Sequence, residues 1–184
     1  GPTNDLGERL WAALLVWLLV APFVFVFGTP DVAASGPRSF ALLIGINQYR
    51  FSDPRIGFYN LSQTLHDVER MRQILPTFGF SAASLRILTD EKATKRAILA
   101  ALARIKAEVK PGDRVLLYFS GHGFKLADLD PSLGLSKTES SLVVHDTQID
   151  KPKTHLRGSW LETWRDSLKT HRVILLFDAC HSGG

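Results

Sequence analysis

Read as apolar and polar positions, the chain alternates short, near-continuous apolar runs with longer stretches whose apolar residues recur every three to four positions. The short runs predict buried strands at Phe40 to Ile46, Leu85 to Leu88, Val115 to Phe119 and Arg172 to Phe177, with a brief one at Ser141 to Val144. Runs without polar alternation must be covered on both faces. The longer stretches predict amphipathic helices. Leu61, Leu65, Val68, Arg72 and Leu75 keep helical spacing up to Pro76, which ends or kinks the helix. Ile98, Leu102, Ile105 and Val109 do the same behind Thr94 as a cap and before Pro111 and Gly112. Ser159-Trp160-Leu161-Glu162 reads as a capping box opening a third helix, with Leu161, Trp164 and Leu168 on one side. Tyr49 to Asn60 and Lys125 to Lys137 read as loops. Strands alternating with helices in this way predict an α/β domain with a mainly parallel sheet and helices on both faces.

The beginning of the chain follows a different pattern. After a flank, residues 1–9, the stretch from Leu10 to Phe27 holds eighteen residues without a charge. That is the lower limit for a helix spanning a bilayer, and Trp11, Trp17 and three phenylalanines cover every face of such a helix. It predicts an N-terminal hydrophobic helix. Val32 and Ala34 stand where a signal peptidase would read small residues, whereas the length of the run and the acids Asp5 and Glu8 before it fit an anchor. Cleaved signal and membrane anchor both stay open. Either one places the domain outside the cytoplasm, exported, periplasmic or tethered to the membrane. Residues 28–37, with Pro30, Gly36 and Pro37, read as a linker, so the globular domain is expected over 38–184.

Composition changes this picture little. A chain of 184 residues suffices for one domain with a sizeable core. The net charge of +4 is modest, and the basic residues are scattered among acids except for a loose cluster from Lys151 to Arg172, read as a solvated loop and helix face. No nucleic-acid partner is expected. The single cysteine excludes an internal disulfide. Gly1 in place of Met, and an end inside the last motif, lead us to expect a piece of a longer chain at both ends.

The chemistry lies at two strand ends. The run Val115 to Phe119 leads into Ser120-Gly121-His122-Gly123, and the last run leads into Asp178-Ala179-Cys180-His181-Ser182-Gly183-Gly184. In parallel sheets ligands bind at the carboxyl ends of strands, so His122 and Cys180 are expected to share that edge. A thiol is mostly protonated at neutral pH, and a neighbouring imidazole is what makes it a nucleophile. The N–H groups of Gly123 and Cys180 are candidates to stabilise an oxyanion. From the residues alone, a buried inert cysteine and a turn histidine remain the alternative. His122, Cys180, His181 and Asp178 are also metal-ligand types but lack paired-ligand spacing, so no metal is assigned. His145, His155 and His171 read as surface residues. Asp67 reads on position alone as a solvent-exposed or helix N-terminal acid.

The ordered set Ala41-Leu42-Leu43-Ile44-Gly45-Ile46-Asn47, Asp67, Gly79-Phe80, Tyr118-Phe119-Ser120-Gly121-His122-Gly123 and Asp178 to Gly184 resembles the caspase-like cysteine peptidases of family C14, in their metacaspase and orthocaspase branch. The resemblance covers residues 39–184 and corresponds to the catalytic large-subunit, p20-like region. It implies a caspase-hemoglobinase fold and an endopeptidase with His122 as base and Cys180 as nucleophile. It also implies a pocket of Asp67, Ser120 and Asp178 for the Arg or Lys before the cut in a polypeptide substrate. The dyad requires no cofactor. Many metacaspases use calcium, and Asp146 is the matching position here. The small-subunit region lies beyond Gly184, so the fold is expected to be incomplete at its C-terminal side. The exposed sheet edge would then fall beside the last strand, with little or no activity in these residues alone. The competing reading is a catalytically silent caspase-like interaction module tethered to the membrane.

Overall fold

The computed structural model describes residues 36–126 and 139–179. The expectations for 10–27, for most of the loop after Lys125 and for Cys180 and the residues after it lie outside the described residues. Among the described residues no helix is long and apolar enough to cross a membrane.

Four parallel strands form the main sheet in the order β2-β1-β3-β7, where β1 is Ser39–Gly45, β2 Leu85–Thr89, β3 Arg114–Ser120 and β7 Arg172–Asp178. The central strands are the most apolar runs of the chain, and all of β1 is buried, as a strand covered on both faces requires. Three helices cover it: α1 (Thr64–Ile74), α2 (Lys95–Glu108) and α3 (Gly158–Asp166). One face carries Leu42, Ile44, Leu117 and Phe119, which pack with Ile98, Leu102 and Ile105 of α2 and Leu161 and Trp164 of α3. The other carries Ala41, Leu43, Leu116 and Tyr118 against Val68 of α1 and Leu75 just beyond it. The α/β architecture with helices on both faces is the one the alternating pattern predicts.

A second, antiparallel sheet of β4 (Gly123–Lys125), β5 (Ser140–Leu142) and β6 (Leu156–Arg157) follows β3. Only β5 was predicted, and it ends at Leu142, short of Val144. Strands of two and three residues have no period to read, and Lys125 belongs to β4 where a loop was expected.

Three further expectations are corrected. The buried stripe of α1 runs through Thr64 and Val68, with Met71 partly buried, while Arg72 is exposed and paired with Glu69. The predicted stripe is thus rotated by about one residue, because the polar Thr64 takes the inner position. Ser159 does not cap α3. It lies inside the helix, and its backbone N–H and hydroxyl both donate to Glu139 Oε1, so the acceptor for the helix start comes from before β5. Finally, His155 is buried, whereas His145 is half-buried and His171 exposed. Its imidazole is fully partnered by Ser141 Oγ at Nδ1 and Ile149 O at Nε2, which is what makes burial of the ring tolerable.

Candidate active site

Strand register builds the site. β1, β3 and β7 end together, with Gly45 paired to Ser120 and Ser120 paired to Asp178. The ladder continues one step past them, since Ile46 N–H donates to Ser120 O and Gly121 N–H donates to Asp178 O. The turn that carries His122 therefore leaves the sheet at a fixed angle beside the end of β7.

Two glycines permit the close approaches. A Cβ on Gly45 would lie 2.6 Å from Val68 Cγ2 and 3.0 Å from Thr64 O, so only glycine lets the first turn of α1 rest on the end of β1. A Cβ on Gly121 would meet Phe119 Cζ and the Tyr49 hydroxyl, both at 2.8 Å. The start of α1 is held by Asn47, whose Oδ1 accepts from Thr64 N–H and Oγ1. This anchoring carries Asp67 to the sheet edge, where Ser120 Oγ donates to its Oδ2 over 3.3 Å.

His122 is buried and held from both ends. Its backbone N–H donates to the Tyr49 hydroxyl at 2.8 Å, and its Nε2 lies 2.7 Å from Tyr59 O. A carbonyl can only accept, so Nε2 carries the proton and Nδ1 is the basic nitrogen of the neutral ring. Tyr49, Phe58 and Tyr59 surround the imidazole at ring-centroid distances of 5.1, 5.7 and 5.3 Å. Burial pushes the Tyr49 phenol well above its usual range, so it stays a neutral hydroxyl.

The loop bearing these aromatics is pinned as well. Asp90, the one non-glycine residue with a positive φ among the described residues, accepts from Asn47 and Gln48 N–H through Oδ1. Asn60 Oδ1 accepts from Tyr49 N–H. None of these supports was foreseen. Tyr49 acts through a hydroxyl that accepts a distant backbone N–H, Tyr59 through its backbone carbonyl and Asp90 through a carboxylate at a turn, which leave no motif in the sequence.

Past His122 the chain enters β4. Val143 N–H donates to His122 O, so antiparallel alternation leaves Gly123 and Leu142 in a non-hydrogen-bonded pair, and the β4–β5 ladder does not use the Gly123 N–H. Tyr59, Asp67, Ser120, Gly121, His122 and Asp178 line one cavity of about 320 Å³. Tyr118 lies against the same acids. Its phenol is pushed up by burial and further by the charges of Asp67 and Asp178, against a hydrogen bond with Ser120. Of the predicted site residues, the structure thus brings together His122, Asp67, Ser120 and Asp178, with Gly123 next in chain. Cys180 lies outside the described residues.

Asp146, the position matched to calcium, accepts the backbone N–H of Lys95 at the start of α2. Among the described residues no three His, Cys, Asp or Glu side chains converge as a metal site would need.

A parallel α/β sheet with a buried histidine and two carboxylates at its carboxyl edge defines the caspase-like class of fold. The family model for the caspase domain, peptidase C14, matches residues 38–184, and the chain belongs to that family. It is 28% identical over 164 residues to metacaspase-1 of Lodderomyces elongisporus, covering 82% of this chain and 34% of that one. It is 30% identical to metacaspase-1B of Aspergillus fumigatus, over 82% of this chain and 36% of the relative. With metacaspase-1 of Meyerozyma guilliermondii it shares 33% identity over 85% and 39% of the two chains. The chain therefore spans about a third of the length of these curated relatives. The solved structure of protein GSU0716 from Geobacter sulfurreducens has the same fold, with a TM-score of 0.59, 24% identity, and 80% of this chain and 52% of the other covered.

Proposed function

We propose that this chain is the base-bearing part of a cysteine endopeptidase that cuts polypeptides after Arg or Lys. The observation that carries the reading is that Asp67 and Asp178 line the same cavity as His122. Two carboxylates at the end of a sheet favour a cationic side chain and repel an acidic one. A long basic side chain seated between them, with Ser120 beside Asp67, sets the following carbonyl near the turn that carries His122.

The reaction follows from the fixed tautomer. With Nε2–H committed to Tyr59 O, Nδ1 takes the proton of the Cys180 thiol, and the thiolate adds to the carbonyl carbon. The oxyanion is stabilised by N–H groups of Gly123 and Cys180. Collapse breaks the C–N bond, the imidazolium returns the proton to the leaving amine, and water hydrolyses the thioester. We also take the apolar segment 10–27 as placing the domain outside the cytoplasm. The mass of the exported protein distinguishes a cleaved signal from a retained anchor.

The test is hydrolysis of fluorogenic peptides by the protein carrying its full reading frame. Peptides ending in Arg or Lys are cut, and the 184 residues alone turn over little. Faster cleavage after Asp than after Arg overturns the pocket assignment. A peptide electrophile labels Cys180, and His122→Ala slows that labelling if the imidazole activates the thiol. Equal labelling with and without His122 instead favours a silent interaction module.

A further inference from the structure

Away from the carboxyl edge, Lys95, Lys153, Arg157, Trp160, Pro152 and His155 line a separate cavity of about 340 Å³. Two of its cations come from the basic stretch after Lys151. Read along the sequence that stretch is a solvated face, but folding turns Lys153 and Arg157 toward Lys95 of a different helix.

We propose that this cavity binds a small anion carrying two or more phosphoryl groups. The charges are gathered with little compensation: the Lys95 ammonium donates to Lys153 O at 2.6 Å, and Asp146 acts on Lys95 without forming an ion pair. None of the three cations makes an ion pair among the described residues, and no carboxylate lines the cavity. Asp146, whose charge acts on Lys95, spends Oδ1 on the backbone N–H of Lys95. Like charges held together in a concave, half-desolvated place oppose folding, and a bound anion recovers that energy.

The strain registers on the groups themselves. The Lys95 ammonium is held below the usual lysine range by burial and then by the Arg157 charge, against Asp146. The buried His155 is pushed down by burial, and the charges of Lys95 and Arg157 act the same way, against its hydrogen bonds to the backbone. It therefore remains a neutral wall, with its ring fixed between Ser141 and Ile149.

Two further features select the ligand. Lys95 opens α2 and Arg157 immediately precedes α3, but the N–H groups there are already taken, Lys95 N–H by Asp146 Oδ1, Ala97 N–H by Thr94 Oγ1 and Ser159 N–H by Glu139 Oε1, so the side-chain cations select the ligand. Three cations suit a multiply charged anion better than a single carboxylate, which would leave most of the charge uncompensated. The volume and the recessed placement suit a small molecule rather than a nucleic-acid backbone, which needs a basic stripe along the surface. The ring of Trp160, 39% exposed at the rim, offers a face for an apolar or planar portion.

Isothermal titration of the chain with inorganic tripolyphosphate at fixed ionic strength tests the proposal. Saturable one-to-one binding is expected, weakened about tenfold by Lys95→Gln and by Arg157→Gln, each removing one charged hydrogen-bond donor. Lys110→Gln, an exposed lysine outside the cavity, leaves the affinity unchanged. Circular dichroism checks each variant's fold, and Lys153→Gln, at an exposed position, gives the same weakening should the other two fail to fold. Absence of saturable binding overturns the proposal. So does equal weakening by Lys110→Gln, or orthophosphate binding as tightly as tripolyphosphate.

Discussion

The two sides of the carboxyl edge are built to different standards. On the β1–β3 side every support is hydrogen-bonded, although of the four residues only Tyr49 is buried: Asn47 holds α1, Asp90 holds the loop, and Tyr49 and Tyr59 hold His122. On the β7 side the strand pairs, among the described residues, with β3 alone, and Ile174, Leu176 and Phe177 are 58%, 44% and 41% exposed. His122, the proposed base, is held by residues described in this domain. Among the described residues the strand that leads toward Cys180, the proposed nucleophile, has a neighbour on only one side.

If that contrast is right, substitutions on the two sides differ sharply in cost. The largest effect is expected in the shared core. Leu117 of β3 is buried against β1 and β7, and Leu117→Ala should lower the unfolding free energy by about 2–5 kcal/mol in urea titration. Next comes the fulcrum of the braced side. Gly45→Ala drives a methyl into Val68 and the Thr64 carbonyl, and the backbone contact cannot rotate away. A loss of about 2–3 kcal/mol is expected, with a parallel fall in cleavage after Arg because α1 carries Asp67. An Ala variant as stable as the parent would mean that α1 does not rest on the sheet edge as described.

A smaller and more specific effect is expected at Tyr49. Tyr49→Phe keeps the ring against the imidazole but leaves the His122 N–H without its acceptor. The expected cost is about 1–2 kcal/mol of stability. If the hydroxyl positions the base, kcat falls by more than the stability loss explains while KM for an Arg peptide holds. A fall in kcat no larger than the loss of folded protein would assign Tyr49 to folding alone.

How much of this was legible in the sequence depends on how far each signal reaches. Continuous apolar runs such as Val115 to Phe119 need no partner information to be read as buried strands, and the turn after each run exposed His122. Asp67 is the opposite case. Its position on α1 suggested a surface acid, and only Gly45, which lets α1 approach, and the register of β3 bring it to Ser120. The capping box failed for a similar reason, because Glu139 outcompetes a local acceptor from twenty residues away. His155 read as exposed because its neighbours in sequence are polar, while its neighbours in space are Ser141 and the Ile149 carbonyl. Local chemistry was readable, whereas contacts between segments distant in sequence were not.

The smallest stability effect should come from the outer face of β7, and it tests the other half of the contrast. Leu176 lines an apolar groove of about 470 Å³ with Met71, Phe80 and Ile174, and nearly half of it stays in solvent. Replacing it by Thr keeps a residue suited to a strand and gives up only the buried part of the side chain, about 1 kcal/mol or less. The same change removes apolar surface beside a strand edge that is unpaired among the described residues, and exposed strand edges are where proteins tend to add to one another. Light scattering of the chain should therefore show less self-association for Leu176→Thr than for the parent, at nearly unchanged urea midpoint. A loss as large as that of Leu117→Ala would mean that this face is covered in solution, and the two sides of the edge would then be equally supported.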